Sequence, residues 1–312
     1  MQLQTKLPKV GTTIFTVMSQ LALEHKAVNL GQGFPDFAVP QRLVDALSRA
    51  MAEGRNQYAP MHGVPALRQA IAAKTARCYG REVDADTEIT VTSGASEAIF
   101  DAVLAVVRPG DEVIVLDPCY DCYEPAIDLA GARAVHIPLD PVTFAPDWNQ
   151  VRAAITPKTR MLMINSPHNP SGMVWRHEDM LKLQEILAPT QIVLISDEVY
   201  SDLLFEGEHI SPASLPGMAE RTATLNSLSK SHAMTGWRVG WVVAPPALAT
   251  HLENLALCML YGSPDFVQDA AVIALGSDLP ELAAMRDAYR QRRDLVCASL
   301  ADCPGVRALK PD

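Results

Sequence analysis

A single lysine, Lys230, lies among small hydroxylated residues and follows an apolar, threonine-rich run at 222–225 that is typical of a short buried strand. Desolvation lowers the pKa of an ammonium group, and the free amine that results can attack a carbonyl. Arg238 follows in the same stretch and can grip a phosphate through two parallel hydrogen bonds. The stretch therefore indicates a phosphorylated aldehyde cofactor bound covalently to Lys230. The alternative is a solvated lysine at a strand end, with an arginine on a neighbouring turn.

A second stretch offers a place for the phosphate of such a cofactor. A strand predicted at 88–92 runs into the small-residue segment 93–97, which precedes a helix predicted at 98–107. This order aims unpaired backbone N–H groups and the positive end of the helix dipole at an anion. Because Ser96 could also be an ordinary helix cap, the turn indicates a phosphate site only together with the lysine stretch.

The elements that must position these residues alternate along the chain. Strands are predicted at 88–92, 112–116, 133–138, 161–164, 192–195, 222–227 and 239–243. Helices are predicted at 11–26, 41–53, 65–79, 98–107, 124–130, 147–155, 177–187, 245–257, 265–275 and 280–301. Apolar strands that alternate with helices favour an α/β fold with a mostly parallel sheet and helices on both faces. Such sheets bind ligands beyond the carboxyl ends of their strands, where the polar segments 165–172 and 197–200 fall.

Composition restricts the function classes. The chain has 312 residues, a hydrophobic content of 48%, a net charge of −10 and a sequence pI near 5.3. This charge repels nucleic acid and anionic membrane surfaces, so we expect neither as a partner. No apolar stretch approaches the roughly 20 residues that span a bilayer, and the first residues lack the apolar core of a signal peptide. These features predict a cytoplasmic enzyme that acts on small molecules.

Cysteine usage gives one motif with an alternative interpretation. Cys119 and Cys122 have the spacing of a thiol redox or metal motif. No second cysteine pair or histidine tract in the sequence supplies the other ligands that a structural zinc needs. We therefore expect no metal and interpret the pair as ordinary loop cysteines.

The motifs also resemble a known family. Ser227-Leu228-Ser229-Lys230 followed by Gly236-Trp237-Arg238-Val239-Gly240 resembles the cofactor-lysine signature of the fold-type I, class I/II aminotransferases, which depend on pyridoxal 5′-phosphate (PLP). The segments 11–16, 30–37 and 56–61 resemble the methionine aminotransferase branch, which is close to the kynurenine and glutamine transaminases.

The resemblance implies a domain organisation. We expect a seven-stranded, mostly parallel sheet sandwiched by helices in a large PLP-binding domain at 46–280. Residues 1–45 would form the N-terminal segment of a small domain with the substrate loop. Residues 281–312 would form an interdomain helix and the start of an incomplete small domain.

The resemblance also implies residue roles around PLP. Lys230 would carry the cofactor, Asp197 would bind its ring nitrogen, Asn169 and Tyr200 would donate to its phenolic oxygen, and Tyr120 would stack on its ring. The residues that match the phosphate cup are Gly94, Ala95, Ser96, Ser227 and Arg238.

Further implied roles concern the substrate and a partner subunit. Tyr58 matches a tyrosine that reaches the phosphate from the neighbouring subunit, which implies a homodimer with shared active sites. Gly33 would contact the substrate, while Ile14 and Phe15 would line an apolar pocket for its side chain. These matches predict transamination of methionine or an aromatic amino acid with a 2-oxo acid, in a ping-pong reaction.

Alternatives stay open at this point. Relatives continue beyond Asp312 with a segment that carries the arginine that clamps the substrate carboxylate, and no residue of this sequence matches that arginine. The chain could therefore be a weakly active or non-catalytic PLP-binding remnant. A carbon–sulfur β-lyase on the same cofactor is a further alternative. A nicotinamide enzyme is disfavoured because no Gly-x-Gly-x-x-Gly follows the strand at 88–92.

Overall fold

The computed structural model of the protein describes residues 4–29 and 31–312, so Leu30 of the 30–37 motif and the first three residues lie outside the described part. Its strands are β1 (Ile89–Thr92), β2 (Glu112–Asp117), β3 (Arg133–Pro138), β4 (Thr159–Asn165), β5 (Val193–Asp197), β6 (Thr222–Ser227) and β7 (Gly240–Val243). Its helices are α1 (Ile14–Glu24), α2 (Gln41–Ala52), α3 (Pro65–Tyr79), α4 (Gly94–Val106), α5 (Tyr123–Leu129), α6 (Trp148–Ala154), α7 (His177–Leu187), α8 (Leu228–Ser231), α9 (Pro246–Met259), α10 (Asp265–Gly276) and α11 (Pro280–Ala301).

The strands form one sheet in the order β1-β7-β6-β5-β4-β2-β3. Neighbouring strands are parallel except around β7, which is antiparallel to both β1 and β6. The predicted mostly parallel sheet is therefore confirmed. The link between β6 and β7 is short, with α8 as its only α-helix, and a short link suits antiparallel neighbours because parallel ones need a longer crossover.

Helices cover both faces of the sheet. Side chains alternate along β2, so that Val113 and Val115 join a core cluster with α4, α5 and α9. Ile114 and Leu116 point to the opposite face and pack in a cluster with α6 and α7. Burial on both faces explains why the strand sequences are continuously apolar rather than alternating.

Two local predictions are corrected by the structure. The helix predicted at 98–107 begins at Gly94, so the segment 94–96 forms its first turn rather than a preceding loop. The side chain of Glu97 accepts the Ser93 backbone N–H and so caps this turn. The short helix α8 was not predicted, because four residues are too few to show a helical period.

The register of the central strands places their last residues side by side. Asn165 of β4 is paired with Asp197 of β5, and the Ser166 backbone N–H donates to the carbonyl of Asp197 at 3.2 Å. Ser227 ends β6 beside them and leads directly into α8, which carries Lys230. The sheet thus brings residues far apart in sequence to one edge.

Among the helices of the described chain, none has the length and apolar character that crossing a bilayer requires.

Candidate active site

A cavity of about 540 Å³ lies at the carboxyl ends of the central strands, a size within the roughly 300–1,000 Å³ of small-molecule sites. It brings together residues that the sequence analysis singled out from separate segments. Those that line it are Phe15, Gly33, Ala95, Ser96, Tyr120, Asn169, Asp197, Tyr200, Ser227, Lys230 and Arg238.

Lys230 is positioned by the short helix α8. The Ser227 hydroxyl at the start of α8 accepts the Ser229 backbone N–H at 3.3 Å, which fixes the turn. The Lys230 Nζ donates to the carbonyl oxygen of Gly33 at 2.8 Å. Within the described chain no carboxylate forms an ion pair with this amine, and burial lowers the pKa of Lys230. The arrangement favours an uncharged, nucleophilic amine.

Asp197 is the buried carboxylate of the cavity, with an exposed fraction of 4%. Its Oδ2 accepts the hydroxyl of Tyr123 at 2.7 Å, and its Oδ1 accepts the Val199 backbone N–H at 3.3 Å. Burial raises the pKa of Asp197 to about 6, while these two hydrogen bonds oppose the rise. The carboxylate is therefore mostly charged at neutral pH, as a partner for a cationic ring nitrogen must be.

A cradle for an anion forms where β7 meets α4. Arg238 lies in the left-handed backbone region, with φ of 57°, and its Nη2 donates to the carbonyl of Ser93 at 3.0 Å. A side chain at Gly94 would overlap the Arg238 guanidinium, and one at Gly240 would strike the backbone of Gly94. Glycine at both positions lets the guanidinium lie against the first turn of α4, whose N–H groups also favour an anion.

Asn165, Asn169 and Tyr200 form the remaining polar edge of the cavity. The Asn165 side chain donates to the carbonyl of Asp197 at 2.9 Å and accepts the Asn169 backbone N–H at 2.6 Å, so it ties the Asn169 loop to β5. Burial and the nearby Asp197 charge raise the pKa of Tyr200 to about 12. Tyr200 therefore keeps its proton and acts as a donor.

Sequence reasoning missed two residues of this site. Tyr123 and Asn165 both hold functional groups in place, and the sequence analysis gave neither a role. The signal for Tyr123 was its spacing of three from Tyr120, which places both near the start of α5. Their rings meet edge to face, with centroids 5.9 Å apart.

Some predicted residues lie elsewhere. Ile14 is 65% exposed on α1 and is not among the residues that line the cavity, whereas its neighbour Phe15 is. Tyr58 is 80% exposed and packs against Tyr261, with ring centroids 4.8 Å apart. The roles expected for Ile14 and Tyr58 stay predictions. Burial and the Asp117 carboxylate raise the pKa of Cys119 to about 12, which disfavours thiolate chemistry there.

The comparison with known proteins agrees with this geometry. The family model for aminotransferase class I and II matches residues 25–312. The chain belongs to the class I and II aminotransferases. These enzymes depend on PLP, and the expected cofactor is thereby confirmed.

Individual aminotransferases of the family are similar over most of the chain. Arginine–pyruvate transaminase AruH of Pseudomonas aeruginosa is 55% identical over 284 residues, which cover 91% of this chain and 72% of that protein. The methionine aminotransferase of Escherichia coli is 44% identical over 298 residues, which cover 95% of this chain and 77% of that protein.

Solved aminotransferase structures confirm the fold-type I architecture. The Escherichia coli methionine aminotransferase YbdL superposes with a TM-score of 0.92 at 43% identity, covering 97% of this chain and 79% of that one. N-succinyldiaminopimelate aminotransferase from Mycobacterium tuberculosis gives a TM-score of 0.95 at 40% identity, covering 99% of this chain and 82% of that one.

The residues present fit the cofactor of these aminotransferases. PLP has an aldehyde, a phosphate, a ring nitrogen and a phenolic oxygen. The cavity offers the Lys230 amine, whose pKa is lowered, and an anion cradle at Arg238. It also offers the buried carboxylate of Asp197, which has no cationic partner among the described residues. The phenol of Tyr200 supplies a donor for the remaining oxygen.

Proposed function

We propose that this PLP-dependent aminotransferase takes methionine or an aromatic amino acid as amino donor and a 2-oxo acid as acceptor. The observation that carries the proposal is the lining of the cavity. Phe15 of α1 shares it with Lys230 and offers aromatic surface to an apolar or flat side chain. The similarity to a methionine aminotransferase supports the same donor class.

Each residue of the cavity has a proposed role. Bound PLP supplies an electron-withdrawing ring conjugated to the α-carbon of the donor, which acidifies the proton there. The guanidinium of Arg238, the Ser227 hydroxyl and the first-turn N–H groups of α4 bind the phosphate. Asp197 holds a proton on the ring nitrogen through its charge, while Asn169 and Tyr200 donate to the phenolic oxygen.

Lys230 has two proposed roles in turn. Its amine would hold the cofactor, and when free it would accept the proton from the α-carbon of a bound donor. The lowered pKa of Lys230 suits this second role, because a base must be unprotonated to accept a proton. The Gly33 carbonyl, 2.8 Å from Nζ in this structure, is placed to orient the amine.

Arginine is a second candidate donor. A relative with 55% identity is an arginine–pyruvate transaminase. The exposed carboxylate of Asp121 lines the same cavity and forms no ion pair within 4–29 or 31–312, so it is available to pair with a guanidinium. Arginine and methionine have unbranched side chains, and one cavity could accept both.

We also propose a homodimer with shared active sites and a large domain flanked by the segments of a small one. Exposure of 80% at Tyr58 is compatible with a side chain that a partner subunit receives. Residues 1–45 and 281–312 fit a separate small domain beside a large one at 46–280. In support, α1 has no buried residue and α11 buries only Met285 and Arg293.

A donor panel tests the proposed reaction. Purified protein loaded with PLP is mixed with methionine, phenylalanine or arginine, and amino transfer to pyruvate is measured as alanine formed. We expect methionine and phenylalanine to react, and Asp121→Asn to weaken only the reaction of arginine. Release of pyruvate and ammonia from a donor with a β-leaving group, without alanine formation, would instead identify a lyase. Absence of turnover with every donor would identify a non-catalytic PLP-binding protein.

A further inference from the structure

Tyr123 occupies a fixed and buried position behind the cavity. It is the first residue of α5 and is 2% exposed. Its backbone N–H donates to the carbonyl of Tyr120 at 3.1 Å, and its ring packs edge to face on that residue. Its hydroxyl donates to Oδ2 of Asp197 at 2.7 Å. A tyrosine so held can deliver only this one hydrogen bond.

The hydrogen bond from Tyr123 favours the charged form of Asp197. Burial disfavours the carboxylate, and so does the neighbouring charge of Glu198. In the described residues no lysine, arginine or histidine forms an ion pair with Asp197, and its other donor is the Val199 backbone N–H at the longer distance of 3.3 Å. The hydroxyl of Tyr123 is thus the strongest group that favours the ionised form.

We propose that Tyr123 is a positioning residue for the aminotransferase reaction, which holds Asp197 ionised and in a fixed rotamer toward the ring nitrogen of PLP. The inference rests on the proposed placement of that nitrogen at Asp197. Because Oδ2 is engaged by Tyr123, the carboxylate cannot rotate freely, and its charge remains available to a ring N–H. Tyr123 acts through Asp197 and does not line the cavity itself.

The test is the binding of PLP to the apoprotein, measured by fluorescence titration across a pH series. Tyr123→Phe keeps the ring and removes only the hydroxyl. Loss of a hydrogen bond to a charged group corresponds to about one pH unit in the pKa of that group. Because the pKa of Asp197 would rise by about one unit from about 6, we expect PLP affinity to fall about 2-fold at pH 7 and to approach a 10-fold loss below about pH 5. The rise of affinity with pH should occur about one pH unit higher, and both proteins should converge in alkaline solution.

A double-mutant cycle separates this role from packing. In the Asp197→Asn background the carboxylate is gone, so Tyr123→Phe should have little further effect on PLP affinity. Tyr79→Phe is the control, since Tyr79 is a half-buried tyrosine that does not contact Asp197. It should leave the pH profile in place.

Other results would overturn the proposal in distinguishable ways. A loss of affinity in Tyr123→Phe that is equal at every pH, or additive with Asp197→Asn, would leave Tyr123 a purely structural residue. An unchanged PLP affinity and absorbance spectrum in Asp197→Asn itself would show that the ring nitrogen does not meet Asp197. In that case the proposed cofactor placement fails together with the inference.

Discussion

The floor and the rim of the cavity are built differently. We define the floor as the strand-end residues Asn165, Asp197 and Ser227, whose exposed fractions are 6%, 4% and 1%. The rim is α1 with the segment 31–34, where Phe34 is 58% exposed. The floor is tied to the sheet by backbone pairing, whereas the rim is held by side-chain contacts such as the Ser19 hydroxyl donating to Gln32 Oε1 at 3.2 Å.

This difference assigns separate tasks to the two regions. A site that must hold a cofactor in one geometry needs groups fixed by the core, and the floor provides them. Groups that select a substrate can lie on segments that adapt, as the rim does. Lys230 joins the regions, because it stands on α8 behind the floor and donates to the Gly33 carbonyl in the rim.

The largest loss of activity is expected when Lys230 is replaced. Lys230→Ala removes both the amine that binds the cofactor and the base, so transamination of methionine should fall by more than about 1,000-fold. The measurement is alanine formed from pyruvate, together with the absorbance of the lysine-bound cofactor. Lys182→Ala, at an exposed lysine on α7, is the control and should keep full activity. Equal losses in both variants would contradict the assignment.

The next largest effect concerns the anion cradle formed by Gly94 and Arg238. Gly94→Ala places a side chain at a φ of 79° and against the Arg238 guanidinium, so the anion cradle must distort. Strain of about 1–2 kcal/mol and a displaced arginine should weaken PLP binding by about 10- to 100-fold. Equilibrium titration of the apoprotein with PLP measures this affinity. Gly276→Ala, where no atom lies within 4 Å of the added carbon, should bind PLP normally.

A rim substitution should separate substrate selection from cofactor binding. Phe15→Ala removes an aromatic wall, and kcat/KM for methionine and phenylalanine should fall by about 10-fold while PLP affinity stays unchanged. Ile14→Ala tests the prediction that Ile14 lines the same pocket for the substrate side chain. A fall like that of Phe15→Ala would support the predicted role of Ile14, whereas a change of less than about 2-fold would match its exposure of 65% and contradict that role. A matching fall in PLP affinity in Phe15→Ala would remove the distinction between rim and floor.

The last prediction concerns stability rather than activity, at a buried carboxyl on α4. Asp101 of α4 is 0% exposed, both its oxygens lack a partner in the described structure, and burial raises its pKa to about 7. A carboxyl with a raised folded-state pKa takes up a proton on folding. Its contribution to stability is therefore present below the unfolded pKa near 4 and is lost as pH rises toward about 7.

Asp101→Asn should abolish this pH dependence. Because the amide stays neutral, the variant should unfold at a Tm several degrees above that of the natural sequence at pH 8, with little difference near pH 4. Thermal unfolding at the two pH values measures it. Asp121→Asn, at an exposed carboxylate, is the control. A Tm gain in Asp101→Asn that is the same at both pH values would contradict ionisation as the cause.

Much of the fold followed from local sequence. The limits of α3, α7, α11, β3 and β6 match the predictions residue for residue, since proline, glycine and apolar periodicity mark them. The start of α4 and the existence of α8 did not follow. A capping contact from Glu97 and a one-turn helix leave no periodic signal.

The site divides in the same way. The sequence alone determined the chemical groups: an amine, a carboxylate, an arginine and small residues stand in motifs that resemble those of the PLP-dependent aminotransferases. Only the tertiary structure decided how each group is tuned. The hydroxyl of Tyr123 reaches Asp197 across 74 positions of sequence, and Lys230 reaches Gly33 across 197. Strand register and chain crossovers set these contacts, and because they depend on the packing of distant segments, no local pattern encodes them.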